Sequence, residues 1–219
     1  MPFCFTIAIM SPVPVFLGVD VGKRRDRAAW VGVVPKRLGE AKLPVWSVVI
    51  CEQAPVGTPY AVVGTRTRDL SHAFAAGGWP VLAAIDATGI GAAVVEDLRA
   101  DPGKAEILAV TSHSGKRVTG EWPDLGVPKT LLVAALDQVV RRQALTVTPT
   151  LPAADVLGAQ LKTYVAKFKQ GGRGGVGHVA FEAARERDHD DTVSAAQLAV
   201  YAGGNWFETC RRMTPGERD

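Results

Sequence analysis

Two short apolar runs, Phe16-Leu17-Gly18-Val19 and Val81-Leu82-Ala83-Ala84-Ile85, each end in an aspartate, Asp20 and Asp86. The second, apolar throughout from Val81 to Ile85, is expected of a strand covered on both faces. A third acidic position, Asp190-Asp191, heads an alanine-rich amphipathic stretch. Carboxylates at two strand ends and one helix start can converge at a single sheet edge. Such a cluster repels itself unless it holds hard cations, so the pattern reads as a Mg²⁺ or Mn²⁺ site.

The remaining elements fit the same architecture. Strands are expected at Val15 to Val19, Arg27 to Val34 and Val45 to Cys51, the first two joined by the polar segment Gly22 to Asp26. This reads as a three-stranded antiparallel start. Helices are expected at Thr67 to Ala76, Gly91 to Ala100, Lys129 to Gln143, Ala154 to Phe168 and Thr192 to Tyr201. Ile107 to Thr111 and Leu145 to Val147 supply further short strands, Ser112 to Glu121 a polar loop, and Gly171 to Gly177 a loop or hairpin tip. The alternation gives an α/β fold with a central mixed sheet, its first three strands antiparallel, flanked by helices. The expected organisation is a flexible leader (1–14), one domain (15–206) and a flexible tail (207–219).

The chain has 219 residues, 47% of them hydrophobic and 21% charged, enough for one substantial core. A net charge of +3 does not by itself argue for nucleic acid, but its distribution is uneven. Between Lys162 and Arg187 stand Lys162, Lys167, Lys169, Arg173, Arg185 and Arg187 against Glu182 and Glu186. Of these, Lys162, Lys167, Lys169 and Arg173 could track a phosphate backbone together with Arg117 and Lys129, although a solvated helix face accounts equally well for any one of them. Cys4, Cys51 and Cys210 are odd in number and widely spaced, which argues against disulfides and zinc and fits a reducing cytoplasm. No apolar stretch has the roughly 18 residues of a membrane span.

Each acid also has a plain reading. Asp20 can be a turn residue, Asp86 or Thr88 a helix cap, and Asp190-Asp191 simple compensation of the helix dipole. The turn Ala87-Thr88-Gly89-Ile90-Gly91 could hold phosphate, but no Walker or G-x-G-x-x-G spacing supports this. Helical period separates the last pair. Asp191 shares a face with Ala195, Leu198 and Ala202, and Asp190 shares one with Ser194, Gln197 and Tyr201. A charge heading the small-residue face is costly unless compensated. Asp191 is therefore the expected principal ligand, assisted by Asp190 or His189. His72, His113 and His178 are isolated, and Ser114-Gly115-Lys116 is a weak signal.

Taken together, Gly18-Val19-Asp20, Ile85-Asp86-Ala87-Thr88-Gly89-Ile90-Gly91, Gly126-Val127-Pro128-Lys129 and the segment from Phe181 to Ala196 resemble the nuclease domain of the large terminase subunit of tailed bacteriophages. That domain belongs to the RNase H-like superfamily, and the resemblance covers about residues 16 to 203. It implies catalytic, metal-holding acids at Asp20, Asp86, Asp190 and Asp191, two Mg²⁺ or Mn²⁺ ions, and endonucleolytic cutting of concatemeric double-stranded viral DNA. It further implies DNA contacts by Lys129, Lys162, Lys167, Lys169 and Arg173. The implied partners are a separate packaging ATPase, a small terminase subunit and a portal, without a membrane, in the host cytoplasm. Ser194 stands where relatives often carry another Asp, and the ATPase half of a full terminase has no Walker motif here. The alternatives are a junction-resolving or RNA-cleaving nuclease of the same superfamily, an actin-like ATPase fragment, and a non-catalytic module that keeps the fold.

Overall fold

The computed structural model describes residues 13–22, 26–36, 44–170 and 190–213. An eight-stranded mixed sheet forms the centre, in the order β6-β7-β5-β4-β1-β2-β3-β8. β1 (Val15–Asp20), β2 (Ala29–Lys36) and β3 (Val45–Gln53) are the expected antiparallel meander. β4 (Val81–Asp86) pairs parallel with β1 on its other side, followed by β5 (Ala105–His113) and β7 (Asp124–Pro128). β6 (Thr119–Glu121) and β8 (Leu145–Val147) close the two edges. β1 and β4 are buried along nearly their whole length, as their uninterrupted apolar character requires.

Helices cover both faces. On one side α1 (Tyr60–Ala76) and α2 (Gly91–Ala100) bury Val63, Leu70, Val94, Val95 and Leu98 against Leu17, Val19, Ala83 and Ile85. On the other, α3 (Lys129–Arg141), α4 (Ala154–Gln170) and α5 (Asp191–Met213) lie over Phe16, Leu82, Ala84 and Leu108. α5 sits directly on β1. A Cβ on Gly18 would overlap the Ala195 carbonyl and come within 2.7 Å of the Ala199 amide nitrogen, so only glycine allows this approach. Further along, Gly203 meets the Trp46 and Phe16 rings. As α5 advances from Ala195 to Gly203, β1 therefore recedes from Gly18 to Phe16. The N-terminus of α5 points toward the Asp20 end of the strand.

Three expectations change. The segment read as a polar loop and a helix entry contains a hairpin, in which Thr119, Gly120 and Glu121 pair with Gly126, Leu125 and Asp124. Its strands are short and mostly exposed, so they carry no apolar alternation to read. α1 begins at Tyr60 rather than Thr67, because its first turns expose Val62 and blur the helical period. α5 continues past Tyr201 to Met213. Phe207, expected in a frayed tail, packs its ring 6.3 Å from Phe16 and 6.1 Å from Trp46. The leader residues 1–12, the glycine-rich loop and residues 214–219 lie outside the described residues. Among the described residues no helix is long and apolar enough to cross a membrane.

Candidate metal centre

Strand pairing brings the first two acids together. Val19 is in register with Ile85 across the parallel β1–β4 ladder, so Asp20 and Asp86 are neighbours at adjacent C-terminal strand ends. Adjacent strands lie about 4.8 Å apart, and paired residues point to the same face. Two residues back, Gly18 and Ala84 face α5, and strand alternation puts both aspartates on that face too. Asp191, one turn before Ala195, heads α5 above them and is only 4% exposed. Asp190 is half-buried, and its carbonyl accepts the first helical bond of α5 from the Ser194 N–H (2.8 Å). Asp191 is thus the more buried of the pair, as its place on the small-residue face of α5 requires.

The local turns shape the two strand-end acids. Asp20 Oδ1 accepts the Gly22 N–H (3.1 Å), and Asp86 Oδ1 accepts the Thr88 N–H (2.9 Å). Both are Asx-type turns, so the plain turn reading of Asp20 is also true. The alternative of Asp86 or Thr88 capping α2 is not, since Ile90 occupies the cap position without a side-chain bond. Instead the Thr88 hydroxyl accepts the Ser112 N–H (3.1 Å) and fastens the turn to β5. Gly91 lies against the Asp86 carbonyl, leaving no space for a Cβ.

Electrostatics set Asp20 apart. Burial pushes its pKa from 3.8 up to about 8; the Gly22 N–H opposes this, while the charges of Asp86, Asp191 and Asp190 add to the rise. Among the described residues neither Asp20 nor Asp86 forms an ion pair with a lysine or arginine. An acid kept protonated chiefly by burial, with acidic neighbours adding to the rise, is the environment a cation relieves. The donors are all hard oxygens, which suits Mg²⁺ or Mn²⁺ rather than a soft-ligand metal. Among the described residues, however, no three His, Cys, Asp or Glu side chains close around a common point. Two carboxylates are turned toward their own turns, and Asp191 Oδ2 accepts a bond from Gln53 Nε2 (3.1 Å). The donor chemistry fits a divalent ion, and closure around it requires side-chain rotation.

Two residues at this edge had no signal in the sequence. Gln53 ends β3, and Gln160 of α4 accepts bonds from the Thr192 hydroxyl and the Val193 N–H (3.4 Å), tying α4 to the first turn of α5. A lone glutamine carries no recognisable spacing, and only the tertiary fold gives either one a partner. Lys162 is exposed one half-turn beyond Gln160, and Lys129 is exposed at the start of α3, directly after β7. Lys167 and Lys169 fall within α4, while Arg173, His178 and His189 lie outside the described residues. His72 is exposed, and Ser114-Gly115-Lys116 forms an exposed turn in which the Gly115 N–H bonds His113 Nδ1 (2.9 Å).

No protein-family model matches the chain, and no curated protein matches its sequence. Solved structures do. The large terminase nuclease from thermophilic phage G20c with bound magnesium superposes with a TM-score of 0.54 at 18% identity, covering 86% of this chain and 80% of that one. The same nuclease with bound cobalt gives 0.52 at 16% identity, and with bound zinc 0.50 at 17%, over the same shares. At this identity the likeness establishes a shared fold. The chain shares the fold of a bacteriophage large terminase nuclease, a central mixed sheet flanked by helices.

Proposed function

We propose that the chain is a divalent-metal-dependent endonuclease that hydrolyses phosphodiester bonds in double-stranded DNA, in the manner of a terminase nuclease. The observation that carries this reading is the convergence of Asp20, Asp86 and Asp191 at one sheet edge, with Asp20 raised to a pKa of about 8. Asp20 and Asp86, side by side at this edge without an ion pair to lysine or arginine among the described residues, are the arrangement a bound cation would stabilise. The shared fold with nucleases that bind magnesium, cobalt and zinc supports the same conclusion.

Asp20, Asp86 and Asp191 would hold the ions, with Asp190 at the more exposed rim. Two such ions, when bound, supply activation of a water and withdrawal of charge from the leaving 3′ oxygen. Asp20 would hold an ion as the carboxylate, so binding would release its proton to solvent. The turn bonds from Gly22 and Thr88 fix one oxygen of Asp20 and Asp86 and so define which way the second oxygen faces. Lys129 and Lys162, exposed on elements that flank this edge, would hold phosphates without reading sequence. On the sequence alone, Lys167, Lys169 and Arg173 are further candidates for phosphate contact. A packaging ATPase, a small terminase subunit and a portal are the partners this reading entails.

Supercoiled plasmid incubated with Mn²⁺, Mg²⁺ or EDTA tests the proposal. Nicked and linear products are expected with Mn²⁺ or Mg²⁺ and none with EDTA. Asp20→Asn and Asp86→Asn should each abolish cleavage while circular dichroism stays unchanged. Full activity in either variant would sink the site assignment. Preference for four-way junctions or RNA–DNA hybrids over linear duplex would move the chain to the other branches of its superfamily.

A further inference from the structure

β3 reaches the acidic edge with a glutamine turned inward because of a bulge. Gly32 is in register with Ile50 but Val33 with Val48, so the ladder passes over Val49. Such a bulge reverses which residues face each side of the strand beyond it. Trp46 and Val48 face α5 before it, and Cys51 does so after it. Gln53 therefore shares that face, in register with Ala29, which is itself in register with Asp20. Glu52, the acid next door, faces the opposite side and is bound by Arg66 through two bonds (2.9 and 2.6 Å). The buried methyl group of Ala29 leaves Gln53 room to reach across, and its Nε2 donates to Asp191 Oδ2 at 3.1 Å.

From this geometry we infer that Gln53 is a positioning residue that orients the Asp191 carboxylate for the divalent ion, an inference that rests on the metal-dependent reading above. An arginine or lysine in its place would donate equally well but would cancel charge that attracts the cation. An amide donates without adding charge. It holds one oxygen of Asp191 and leaves the carboxylate its full negative charge for the cation. Hydrogen-bonding partners of metal ligands are commonly worth about 10–100-fold in affinity or activity.

Gln53→Met keeps the side-chain length and removes the donor, while Gln53→Asn keeps the amide and shortens its reach. Mn²⁺ binding to the full chain is measured by electron paramagnetic resonance titration, alongside plasmid cleavage as a function of Mn²⁺ concentration. Both variants should raise the Mn²⁺ dissociation constant about tenfold, with cleavage largely restored at saturating Mn²⁺. Wild-type Mn²⁺ affinity in both variants, even with a lowered Tm, would show that the bond is structural only and overturn the inference. Asp20→Asn separates the two levels. If it removes Mn²⁺ binding while the Gln53 variants bind normally, the metal site stands and the positioning role falls. If wild type binds no Mn²⁺, both fall together.

Discussion

Asp20 is the residue at which the metal-free fold and the proposed metal site make opposite demands. Its pKa is about 8 in the folded chain against 3.8 in the reference state, so the metal-free fold keeps a proton that the unfolded chain releases. This group's contribution to stability is therefore complete below about pH 4, declines as pH rises toward 8, and is lost above that. Asp20→Asn keeps an oxygen for the Gly22 N–H and cannot ionise. In EDTA the Tm of Asp20→Asn should exceed that of wild type by about 3 °C or more at pH 8, each ~1 kcal/mol being worth roughly 2–4 °C for a chain of this size. The gap should shrink toward pH 5. A constant gap across this range would mean that Asp20 is ionised throughout.

At the scale of elements, α5 is the part that joins the core to the site. Its alanine face lies on the backbone of β1, and its first residue, Asp191, is set over Asp20 by that contact. Gly18→Ala places a methyl group against the Ala195 carbonyl, which cannot move without moving α5. The expected cost is about 1–3 kcal/mol, read as a lower urea midpoint, with a larger proportional loss of Mn²⁺-dependent cleavage. Gly158→Ala in α4 is the control. Nothing lies within 4 Å of a Cβ there, and the substitution should raise stability by roughly 0.5–1 kcal/mol. Equal effects at the two glycines would contradict this account of the α5–β1 contact.

Across the whole molecule the two ends of the sheet differ in chemistry. Its lower α5 side is closed by Phe16, Trp46, Trp206 and Phe207, whose rings meet at 5.1 to 6.3 Å. Phe207→Ala should cost about 2–3 kcal/mol by thermal or urea unfolding, less than for a fully buried ring because Phe207 is half-buried. A truncation after Trp206 should cost at least as much. The opposite end carries the acids, with Lys129 and Lys162 on flanking helices. If these lysines hold phosphates, Lys129→Ala should weaken DNA binding alike on all sequences and reduce the slope of log affinity against log salt by about 1. An unchanged slope in filter-binding titrations would remove Lys129 from the DNA surface.

Local sequence patterns were enough to specify the core strands and most of the helices that cover them. Uninterrupted apolar runs named β1 and β4, Gly91 to Ala100 was legible to the residue, and the alanine face of α5 fixed the phase that buries Asp191. These are local patterns with strong periods, and burial reinforces them. The hairpin of β6 and β7 was not legible, because exposed strands three and five residues long owe their form to pairing rather than to pattern. Nor was the reach of α5 to Met213, whose second half is held by aromatic contacts with residues nearly 200 positions earlier. The position of Gln53 is the clearest case. Simple alternation from Trp46 and Val48 turns Glu52 toward the acids, and only the bulge at Val49 exchanges it for Gln53. The identity of the acids was written in the chain. Which side chains meet them was decided by strand register, because a slip of one residue reverses the face and leaves no trace in composition.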